Sequence, residues 1–451
     1  MLVNFRFSNF MSFEELNEFS LVKGKAKQHA NHIHTNNTLN ISTLKFSTIY
    51  GANGAGKSNF VKAFKFVQEL VVSNKFDSEH RELYCRSSIE NKEKLSSFEF
   101  ELLIDNNIYS YGFSINIFKK QFLREWLYKV SGNNEIEYFT YDEINKELNV
   151  SLETNNEKLS NRFEIYKDDY LSLKNSKKSL FLNFINSSKS NFNEDELDFE
   201  ILNKVYNWFS NSLEVILPNK PPKRALTYLD KHDTADIENF LIDFGTGIKN
   251  VIKEEITLEQ IYKTDDGNYI DYIIEQVLEK ITSSNQKKYK GIVRSNKNLF
   301  LITCSKQDND EIQVNWHIFK FLLNSHTKYS LSELSDGTIR LLELYSVLTN
   351  KNMKTFIVDE LDRSLHPNLT LNFLKYYLEK NNNSQLIATT HEDRILNLDI
   401  LRRDEIWFVE RDDNACSKLY SLEKFKIRFD QDVMKAYLDG RYGSIPKFKF
   451  F

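Results

Sequence analysis

The sequence predicts a mixed α/β protein with a parallel core sheet, an antiparallel β lobe and a long, mostly helical insertion. Three observations predict this fold class. An apolar run ends in a glycine-rich loop at residues 51–58, and helical spacing follows the loop. Apolar residues alternate along residues 97–132, as they do in half-buried strands. After about residue 328 strand and helix patterns return, which indicates that the core sheet resumes there.

The composition is typical of a globular protein. At 451 residues the chain is long enough for two or three domains of about 150 residues and for a large core. Hydrophobic residues make up 41% and charged residues 27%, which argues against a disordered chain. The 60 Lys and Arg residues against 64 Asp and Glu residues give a net charge of −4. DNA binding is therefore not indicated by charge, although local basic patches are compatible with it.

The N-terminus and the cysteines favour a cytoplasmic protein. The first eight residues lack a signal-peptide pattern, and no stretch reaches about 18 consecutive apolar residues, so we expect neither secretion by that route nor a membrane span. Cys85, Cys304 and Cys416 are far apart in the sequence and show no CxxC spacing. The cysteine pattern therefore suggests neither a disulfide framework nor a zinc site.

The predicted elements follow the order that a phosphate-binding site needs. Apolar periodicity and turn residues define each of them. In chain order they are strands at residues 3–7 and 19–22, a polar surface loop at 23–43, a strand at 46–50, a helix at 59–72 and antiparallel strands at 97–132.

The middle of the chain, residues 133–327, is rich in Asn, Lys, Ser and Glu, without an internal repeat or a sustained heptad. Two amphipathic helices are predicted within it, one ending at Pro218 and the other near Gly245. Residues 218–224 hold three prolines and predict a rigid connector whose basic side chains are solvated. We therefore expect a mostly helical insertion.

The loop at residues 51–58, Gly-Ala-Asn-Gly-Ala-Gly-Lys-Ser, is a complete phosphate-loop pattern. Its glycines let successive N–H groups face one phosphate chain, Lys57 is placed to reach the β and γ oxygens, and the Ser58 hydroxyl suits Mg²⁺. The following helix adds its N-terminal dipole. A glycine-rich turn with a coincidental lysine is the alternative, and the flanking strand and helix disfavour it. The expected nucleotide-binding residues are Asn53, Gly54, Ala55, Gly56, Lys57, Ser58 and Asn59.

A second strand of the predicted core sheet ends in two acidic residues, Asp359 and Glu360. Residues 355–358 predict a buried parallel strand, and ligands bind at the carboxyl end of such strands. Asp359 is expected to hold Mg²⁺, directly or through water, and Glu360 to act as the general base that polarises the attacking water. An ordinary acidic turn is the alternative, which the presence of the phosphate loop disfavours.

Two further motifs distinguish among phosphate-loop families. Ser335, Asp336 and Gly337 precede an amphipathic helix and resemble the signature sequence of ABC ATPases, although taken alone they are equally typical of a helix cap. His391 ends an apolar strand and resembles the switch histidine that senses the γ-phosphate, although a single histidine is usually structural. Asp362 matches the loop that communicates across the dimer in the same proteins.

Taken together, these motifs resemble the AAA15/AAA21 group of prokaryotic ATPases, whose head is similar to those of RecF, SMC and OLD-type proteins. Within this group the chain is similar to the stand-alone ATPases of anti-phage systems, such as AriA of PARIS, RloA and the AbiL ATPase. The fold implied is an ABC-type P-loop ATPase head, an antiparallel β lobe joined to a RecA-like core. The segments that carry the resemblance are residues 51–58, 334–337, 359–367, 389–391, 401–408 and 440–446.

The resemblance implies a division of the chain into three segments. Residues 1–132 form the N-terminal half of the ATPase head with the phosphate loop and β lobe, residues 133–327 the insertion, and residues 328–451 the C-terminal half. Asp336 stands where transporter ATPases usually have glycine, which leaves the strength of its contact with a second subunit open.

The function that the resemblance implies is ATP hydrolysis with Mg²⁺ at an interface between two copies of the chain, in a homodimer or an assembly of dimers. The ATPase would sense a phage trigger protein and control a separately encoded effector, such as a Toprim-type nuclease. Only 60 residues follow His391, too few for a nuclease domain of the OLD type. Two other functions stay open: a RecF/SMC-like DNA-binding repair ATPase with a basic channel along residues 220–290, and a non-hydrolysing, ATP-gated scaffold in which Glu360 is idle.

Two weaker features receive no catalytic role. His29, His32 and His34 lie in the polar loop, and we expect them to be solvated rather than to bind a metal. Gln68 lies in the helix after the phosphate loop, and a surface position is a better interpretation than a Mg²⁺-sensing glutamine.

Overall fold

The computed structural model divides into two compact units. The first comprises Met1–Pro218, Asn350–Asp362 and Thr370–Phe451, and the second comprises Asn219–Thr349 and Arg363–Leu369. The residues that the structure describes are 1–132, 134–151, 157–173, 178–187, 197–218, 229–230, 234–264, 267–283, 288–294, 298–306, 312–323, 327–349, 353–380, 383–426 and 432–445.

The elements of the described residues are numbered in chain order. The strands are β1 Leu2–Ser8, β2 Asn17–Ser20, β3 Ile33–Asn36, β4 Ile41–Leu44, β5 Phe46–Tyr50, β6 Ser96–Ile104, β7 Asn107–Asn116, β8 Gln121–Ser131, β9 Asn134–Asp142, β10 Glu147–Val150, β11 Leu213–Ile216, β12 Asn250–Ile256, β13 Lys288–Arg294, β14 Leu299–Lys306, β15 Ile312–Leu322, β16 Lys328–Ser330, β17 Thr355–Val358, β18 Gln385–Thr389, β19 Ile406–Arg411 and β20 Ser417–Ser421. The α-helices are α1 Lys57–Ser73, α2 Glu157–Ser172, α3 Phe181–Ser187, α4 Leu197–Asn207, α5 Thr234–Asp243, α6 Leu258–Thr264, α7 Gly267–Ser283, α8 Asp336–Thr349, α9 Pro367–Glu379 and α10 Val433–Leu438.

The core sheet of the first unit has six strands in the order β11-β17-β18-β5-β19-β20. All neighbouring strands are parallel except β19 and β20. Every residue of β5, β17 and β18 is buried, which is typical of parallel strands covered on both faces. Because these strands point the same way, the segments that follow them lie at one edge of the sheet.

The β lobe is a seven-stranded antiparallel sheet in the order β10-β9-β8-β7-β6-β1-β2. Its aromatic side chains pack against α1, the helix that follows the glycine loop. The ring of Phe5 in β1 lies 4.3 Å from that of Phe64 in α1 and 4.5 Å from that of Phe100 in β6, centroid to centroid. Such pairs add about 0.5–1.5 kcal/mol each to the burial of the rings. The lobe therefore holds the helix that follows the glycine loop. Together, the parallel core sheet and the antiparallel lobe confirm the predicted α/β fold class.

The lobe extends beyond its predicted end at residue 132. β9 and β10 continue the same sheet, so residues 134–150 belong to the lobe rather than to an insertion. The helix predicted to end at Pro218 ends at Asn207, and after a π-helical turn at Trp208–Ser212 the chain enters β11. The apolar run at 213–216 suits a helix or a strand, and parallel pairing with β17 selects the strand.

The second unit contains an antiparallel sheet in the order β12-β15-β14-β13, with β16 paired to β15. Helices are present as predicted, and α5 ends two residues before Gly245, but the sheet was not predicted. β14 is apolar on both faces over much of its length, so it lacks the alternation that identifies a half-buried strand. The second unit also includes α8, which the sequence placed in the C-terminal half of the head.

The polar loop at 23–43 contains the β3–β4 hairpin and is partly buried, contrary to expectation. His32 is 3% exposed, and its Nδ1 lies 3.0 Å from Oε1 of the buried Glu405. Ring nitrogens of His29 and His34 lie within hydrogen-bonding distance of the carbonyl oxygens of Leu398 and Ser384. The three histidines therefore connect the hairpin to neighbouring segments, with His32 buried and His29 and His34 partly exposed.

Among the described helices, none combines the length and apolar character that crossing a bilayer requires.

Most of the predicted proline-rich connector lies outside the described residues, which include only its first residue, Pro218.

Candidate nucleotide site

The glycine loop follows β5 directly and has glycine where the backbone requires it. Gly54 and Gly56 adopt φ angles of 75° and 118°, in the left-handed region that other residues rarely enter. A Cβ atom on Gly56 would also lie 2.5 Å from Ser417 Oγ and 2.9 Å from Ser12 Oγ. The loop conformation thus depends on glycine both for its backbone angles and for the close approach of two serines.

These two serines hold the loop from outside. Ser417 Oγ donates to the carbonyl oxygen of Ala55 at 2.5 Å and lies 2.7 Å from Ser12 Oγ. Asn59 Nδ2 donates to Ser12 Oγ at 2.8 Å, and the backbone N–H of Ser417 donates to the carbonyl oxygen of Ser12 at 2.6 Å. Neither serine belongs to a recognisable sequence pattern, because their contribution depends on contacts between distant segments.

Lys57 lies within the curl of the loop. Its side chain is buried, and Nζ donates to the carbonyl oxygens of Gly51 at 2.6 Å and Ala52 at 3.2 Å. The residue is also the first of the 17-residue helix α1, whose N-cap Gly56 provides no side-chain cap. The first N–H groups of a helix have no acceptor within it, and together with the helix dipole they favour an anion.

The electrostatic environment of Lys57 ties the loop to the acidic edge of the sheet. Burial lowers the pKa of the ammonium group to about 8, and negative charges nearby oppose that shift. The carboxylates that act in this way are those of Asp359, Asp362 and Glu360. Partial desolvation lowers the pKa of His391, and the charge of Lys57 lowers it further. The fold therefore brings together residues of three separate segments.

The acidic edge is organised around Thr389, the last residue of β18. Its hydroxyl donates to Asp359 Oδ1 at 2.6 Å and accepts from the backbone N–H of Glu360 at 2.8 Å. Its carbonyl oxygen accepts from the N–H of Leu361 at 2.9 Å. Glu360 adopts φ 50°, a left-handed conformation that costs a non-glycine residue about 1–3 kcal/mol and persists only where its surroundings enforce it.

Asp362 and His391 are joined through the segment after β18. Asp362 Oδ1 accepts from Thr390 Oγ1 at 2.6 Å and from the backbone N–H of His391 at 3.1 Å. Asp359 is almost fully buried, whereas Glu360 is half-buried. The predicted residues of the loop, the acidic edge and the strand end thus lie in one unit, next to one another.

Ser335, Asp336 and Gly337 lie in the second unit, at the start of the 14-residue helix α8. Ser335 Oγ accepts from the backbone N–H of Thr338 at 3.2 Å, which is the geometry of a helix N-cap. A Cβ atom on Gly337 would lie 2.7 Å from the carbonyl oxygen of Ser364, so glycine permits a close backbone approach there. The side chains of Ser335 and Asp336 are exposed.

Gln68 is a packing residue rather than a surface residue. Its Nε2 donates to the carbonyl oxygens of Phe209 and Leu213, each at 2.9 Å, and so connects α1 to the start of β11.

The C-terminal segment is also packed against the rest of the first unit. Tyr420 Oη donates to the carbonyl oxygen of Tyr442 at 2.7 Å, and the ring of Tyr442 stacks on that of Phe408.

A comparison with protein families identifies the family of this chain. The family described as "AAA domain, putative AbiEii toxin, Type IV TA system" matches residues 46–397, more than three quarters of the chain, from the strand before the glycine loop to beyond His391. A search of curated proteins found no match.

Solved structures that resemble the chain include SMC head domains, each 12% identical in sequence. One is an SMC head bound to the C-winged helix domain of ScpA. The alignment includes 93% of this chain and 97% of that structure, with a TM-score of 0.39. The head domain from Thermotoga maritima is covered over 99% by 94% of this chain, with a TM-score of 0.34. A head with an extended coiled coil bound to the C-terminal domain of ScpA, from Pyrococcus furiosus, is covered over 99% by 98% of this chain, with a TM-score of 0.34.

Proposed function

The chain belongs to the family described as "AAA domain, putative AbiEii toxin, Type IV TA system", and we propose that it is an ABC-type ATPase that hydrolyses ATP with Mg²⁺ at a site completed by a second copy of itself. One observation carries this proposal. A glycine loop with a buried lysine lies beside a buried aspartate and a glutamate held in a strained backbone conformation. A lysine whose pKa is lowered by burial and that lies close to carboxylates is typical of functional sites.

The residues present fit ATP and Mg²⁺. The N–H groups at the start of α1 and the ammonium group of Lys57 suit the phosphates. Ser58 and Asp359 offer a hydroxyl and a carboxylate, and Mg²⁺ prefers such oxygen ligands, so these two residues would hold the ion. When bound, Mg²⁺ neutralises charge that develops on the phosphate oxygens. The remaining loop residues, from Asn53 to Asn59, would contact the phosphates mainly through their backbone.

Glu360 is the residue we propose as general base, with His391 beside it as the group that senses the γ-phosphate. The hydroxyl of Thr389 accepts from the backbone N–H of Glu360 and so holds the backbone that carries the carboxylate. Such preorganisation avoids the cost of ordering the base during the reaction. Asp362, bonded to the backbone of His391, would couple this group to the dimer interface.

The second half of the active site would come from the start of α8 in a partner copy. The exposed side chains of Ser335 and Asp336 support this assignment, since a helix N-terminus open to solvent can accept a phosphate from another molecule. The capping bond of Ser335 to Thr338 holds this helix start in shape. ATP would therefore bind between two copies, and hydrolysis would release them.

The cellular function we propose is control of a separately encoded effector in anti-phage defence, with a phage protein as trigger. The family description names a putative toxin and a Type IV TA system, and it supports the coarser part of this proposal, a role in a system of that type. A DNA-binding repair role has less support. Among the described residues between 220 and 290, Lys253 and Lys290 both form salt bridges with Asp230, whose single carboxylate offsets one of their two positive charges.

The experiment that tests the mechanism compares ATP turnover in the wild type and Glu360→Gln. We expect turnover to fall by about 100-fold or more, as loss of a general base does, while ATP remains bound. Lys57→Ala should lose ATP binding itself. Glu379→Gln, a change of an exposed glutamate at the end of α9, is the matched control and should hydrolyse at the wild-type rate. Wild-type turnover in Glu360→Gln would show that Glu360 is not the general base, whereas ATP binding without turnover in the wild type would leave the chain as an ATP-gated scaffold.

A further inference from the structure

A cluster of two thiols and a carboxylate lies close to the glycine loop and takes no part in the proposed hydrolysis. The Sγ atoms of Cys85 and Cys416 and a carboxylate oxygen of Glu14 all lie within 4.8 Å of one another. Cys85 is 1% and Cys416 8% exposed, whereas Glu14 is half-buried. The fold thus assembles a set of ligands that the sequence spacing of the cysteines did not suggest.

Hydrogen bonds fix the three segments that carry these side chains. The backbone N–H of Cys85 donates to Asn9 Oδ1 at 3.1 Å, and that of Cys416 donates to Asp412 Oδ1 at 2.9 Å. Cys416 Sγ lies 3.2 Å from Glu14 Oε2. The cluster is therefore held by its surroundings and does not depend on a chance orientation of surface side chains.

Two polar groups contact the carboxylate of Glu14 from outside the cluster. Ser87 Oγ donates to Glu14 Oε2 at 2.7 Å, and Lys94 Nζ lies 3.4 Å from Glu14 Oε1. The lysine side chain is 53% exposed and can move into solvent, so it does not block a cation. The serine bond orients the carboxylate, as outer partners of metal ligands commonly do.

The chemistry of the donor atoms favours a thiophilic divalent cation. Zn²⁺ binds cysteine sulfur at about 2.3 Å and carboxylate oxygen at about 2.0–2.2 Å, so two sulfurs on one ion lie at most about 4.6 Å apart. The observed spacing needs only small side-chain adjustments to meet that requirement. Soft thiolates discriminate against Mg²⁺, which prefers oxygen ligands.

We propose that Glu14, Cys85 and Cys416 form a Zn²⁺ site with three protein ligands and one position for water. Binding releases the thiol protons to solvent and leaves both sulfurs as thiolates. The site would join the segments that hold the glycine loop, since Ser417 follows Cys416 and Ser12 precedes Glu14 by two residues. An effect on nucleotide affinity rests on the proposed ATPase function, whereas metal binding itself does not.

The test is a Co²⁺ titration of the full-length, reduced, metal-free protein without nucleotide, followed by displacement with Zn²⁺. Sulfur-to-cobalt charge-transfer absorption reports only sites with thiolate ligands, so a Mg²⁺ site cannot produce it. We expect saturation at one equivalent per chain. Cys85→Ser and Cys416→Ser should each weaken Co²⁺ binding by at least about tenfold. Changes of residues that only hydrogen-bond to a metal ligand cause losses of this size, so loss of a ligand itself should cost no less. Glu14→Gln should weaken binding and keep the sulfur band.

Cys304→Ser is the matched control, because Cys304 is also buried but lies in β14 of the second unit. It should titrate as the wild type does. Absence of the sulfur band in folded wild-type protein would overturn the proposal, and this result needs no variant. Equal loss of the band in Cys304→Ser and Cys416→Ser would also overturn it. Neither outcome depends on ATP turnover, so it leaves the proposed ATPase function untouched.

Discussion

At the scale of single residues, Thr389 has the largest influence on the acidic edge. One hydroxyl contacts both Asp359 and the backbone of Glu360, the two residues that are proposed to bind Mg²⁺ and to act as base. The left-handed backbone of Glu360 needs such support, because nothing in its own side chain favours that conformation. We therefore assign Thr389 as a positioning residue that acts through Asp359 and Glu360.

We expect Thr389→Val to lower kcat for ATP hydrolysis by about 10–100-fold, the order that a misplaced catalytic group causes, with KM for ATP little changed. Valine has the same shape but can neither donate to Asp359 nor accept from Glu360. Thr389→Ser keeps the hydroxyl but lacks the methyl group, and it should retain most of the wild-type rate. If the side chain acted only through packing, Thr389→Ser would be impaired and Thr389→Val would not. Steady-state kinetics of the three proteins decide, and an unchanged kcat in Thr389→Val would contradict the assignment.

The sequence predicted the residues of the candidate site better than it predicted the residues that hold them in place. Lys57, Asp359 and Glu360 belong to local patterns whose chemistry follows from residue type and spacing. Ser12 and Ser417 support the same loop, yet they come from opposite ends of the chain and match no pattern. A contact between distant segments leaves no local signal, so these positions become apparent only in the fold.

At the scale of elements, Glu125 connects the β lobe to α3. Its carboxylate in β8 accepts from the backbone N–H groups of Phe181 at 2.5 Å and Leu182 at 3.0 Å, and from Tyr111 Oη at 2.9 Å. These bonds satisfy the first turn of α3, where N–H groups lack partners within the helix. Burial nevertheless raises the pKa of Glu125 from 4.5 to about 7, because the charged form is desolvated, and the hydrogen bonds only partly oppose this shift.

This shift predicts a dependence of stability on pH. The folded protein holds the proton of Glu125 more tightly than the unfolded chain does, so the contribution is present below pH 4.5 and is lost as the pH rises through 7. The loss is roughly 3 kcal/mol in the free energy of unfolding, from a shift of this size. We expect Glu125→Gln, which cannot ionise, to show a smaller fall in stability between pH 5 and pH 8 than the wild type, measured by denaturant unfolding.

A matched control for this prediction is Glu135→Gln, which changes an exposed glutamate in the same lobe. Its pH profile should follow that of the wild type. Other ionisable groups titrate in the same window, so the difference between the profiles of Glu125→Gln and wild type is the quantity that matters. Parallel profiles for these two proteins would show that Glu125 is charged in the folded state at low pH and would contradict the prediction.

The elements next to the glycine loop were predictable, whereas β11 of the core sheet and β14 of the second unit were less so. The strand at 46–50 and the helix after it have strong periodicity, and the structure places them within two residues of the prediction. β11 and β14 are short or apolar on both faces, and in such segments the pattern does not separate strand from helix. Pairing with a strand distant in sequence decides their conformation, and that partner was not identifiable in advance.

At the scale of the whole molecule, the motifs are divided between the two units, and we propose that a second copy completes the site. The glycine loop, the acidic edge and His391 belong to the first unit, and the signature residues begin α8 in the second unit. A twofold-symmetric dimer has one self-complementary interface that contains two equivalent sites, so each copy can supply its loop to one site and its proposed signature helix to the other. Each site would then depend on residues from two chains.

Mixing two inactive variants tests this arrangement. Lys57→Ala loses the loop of its own copy, and Ser335→Arg blocks the helix start that would face the partner's nucleotide. In an equal mixture half of the dimers are mixed and each of these carries one intact site, so we expect about a quarter of wild-type turnover. A mixture of Lys57→Ala with Glu360→Gln is the control, because both changes damage the first-unit half of a site and no intact site can form. If the first mixture is as inactive as the control, ATP does not bind between two copies in the way proposed.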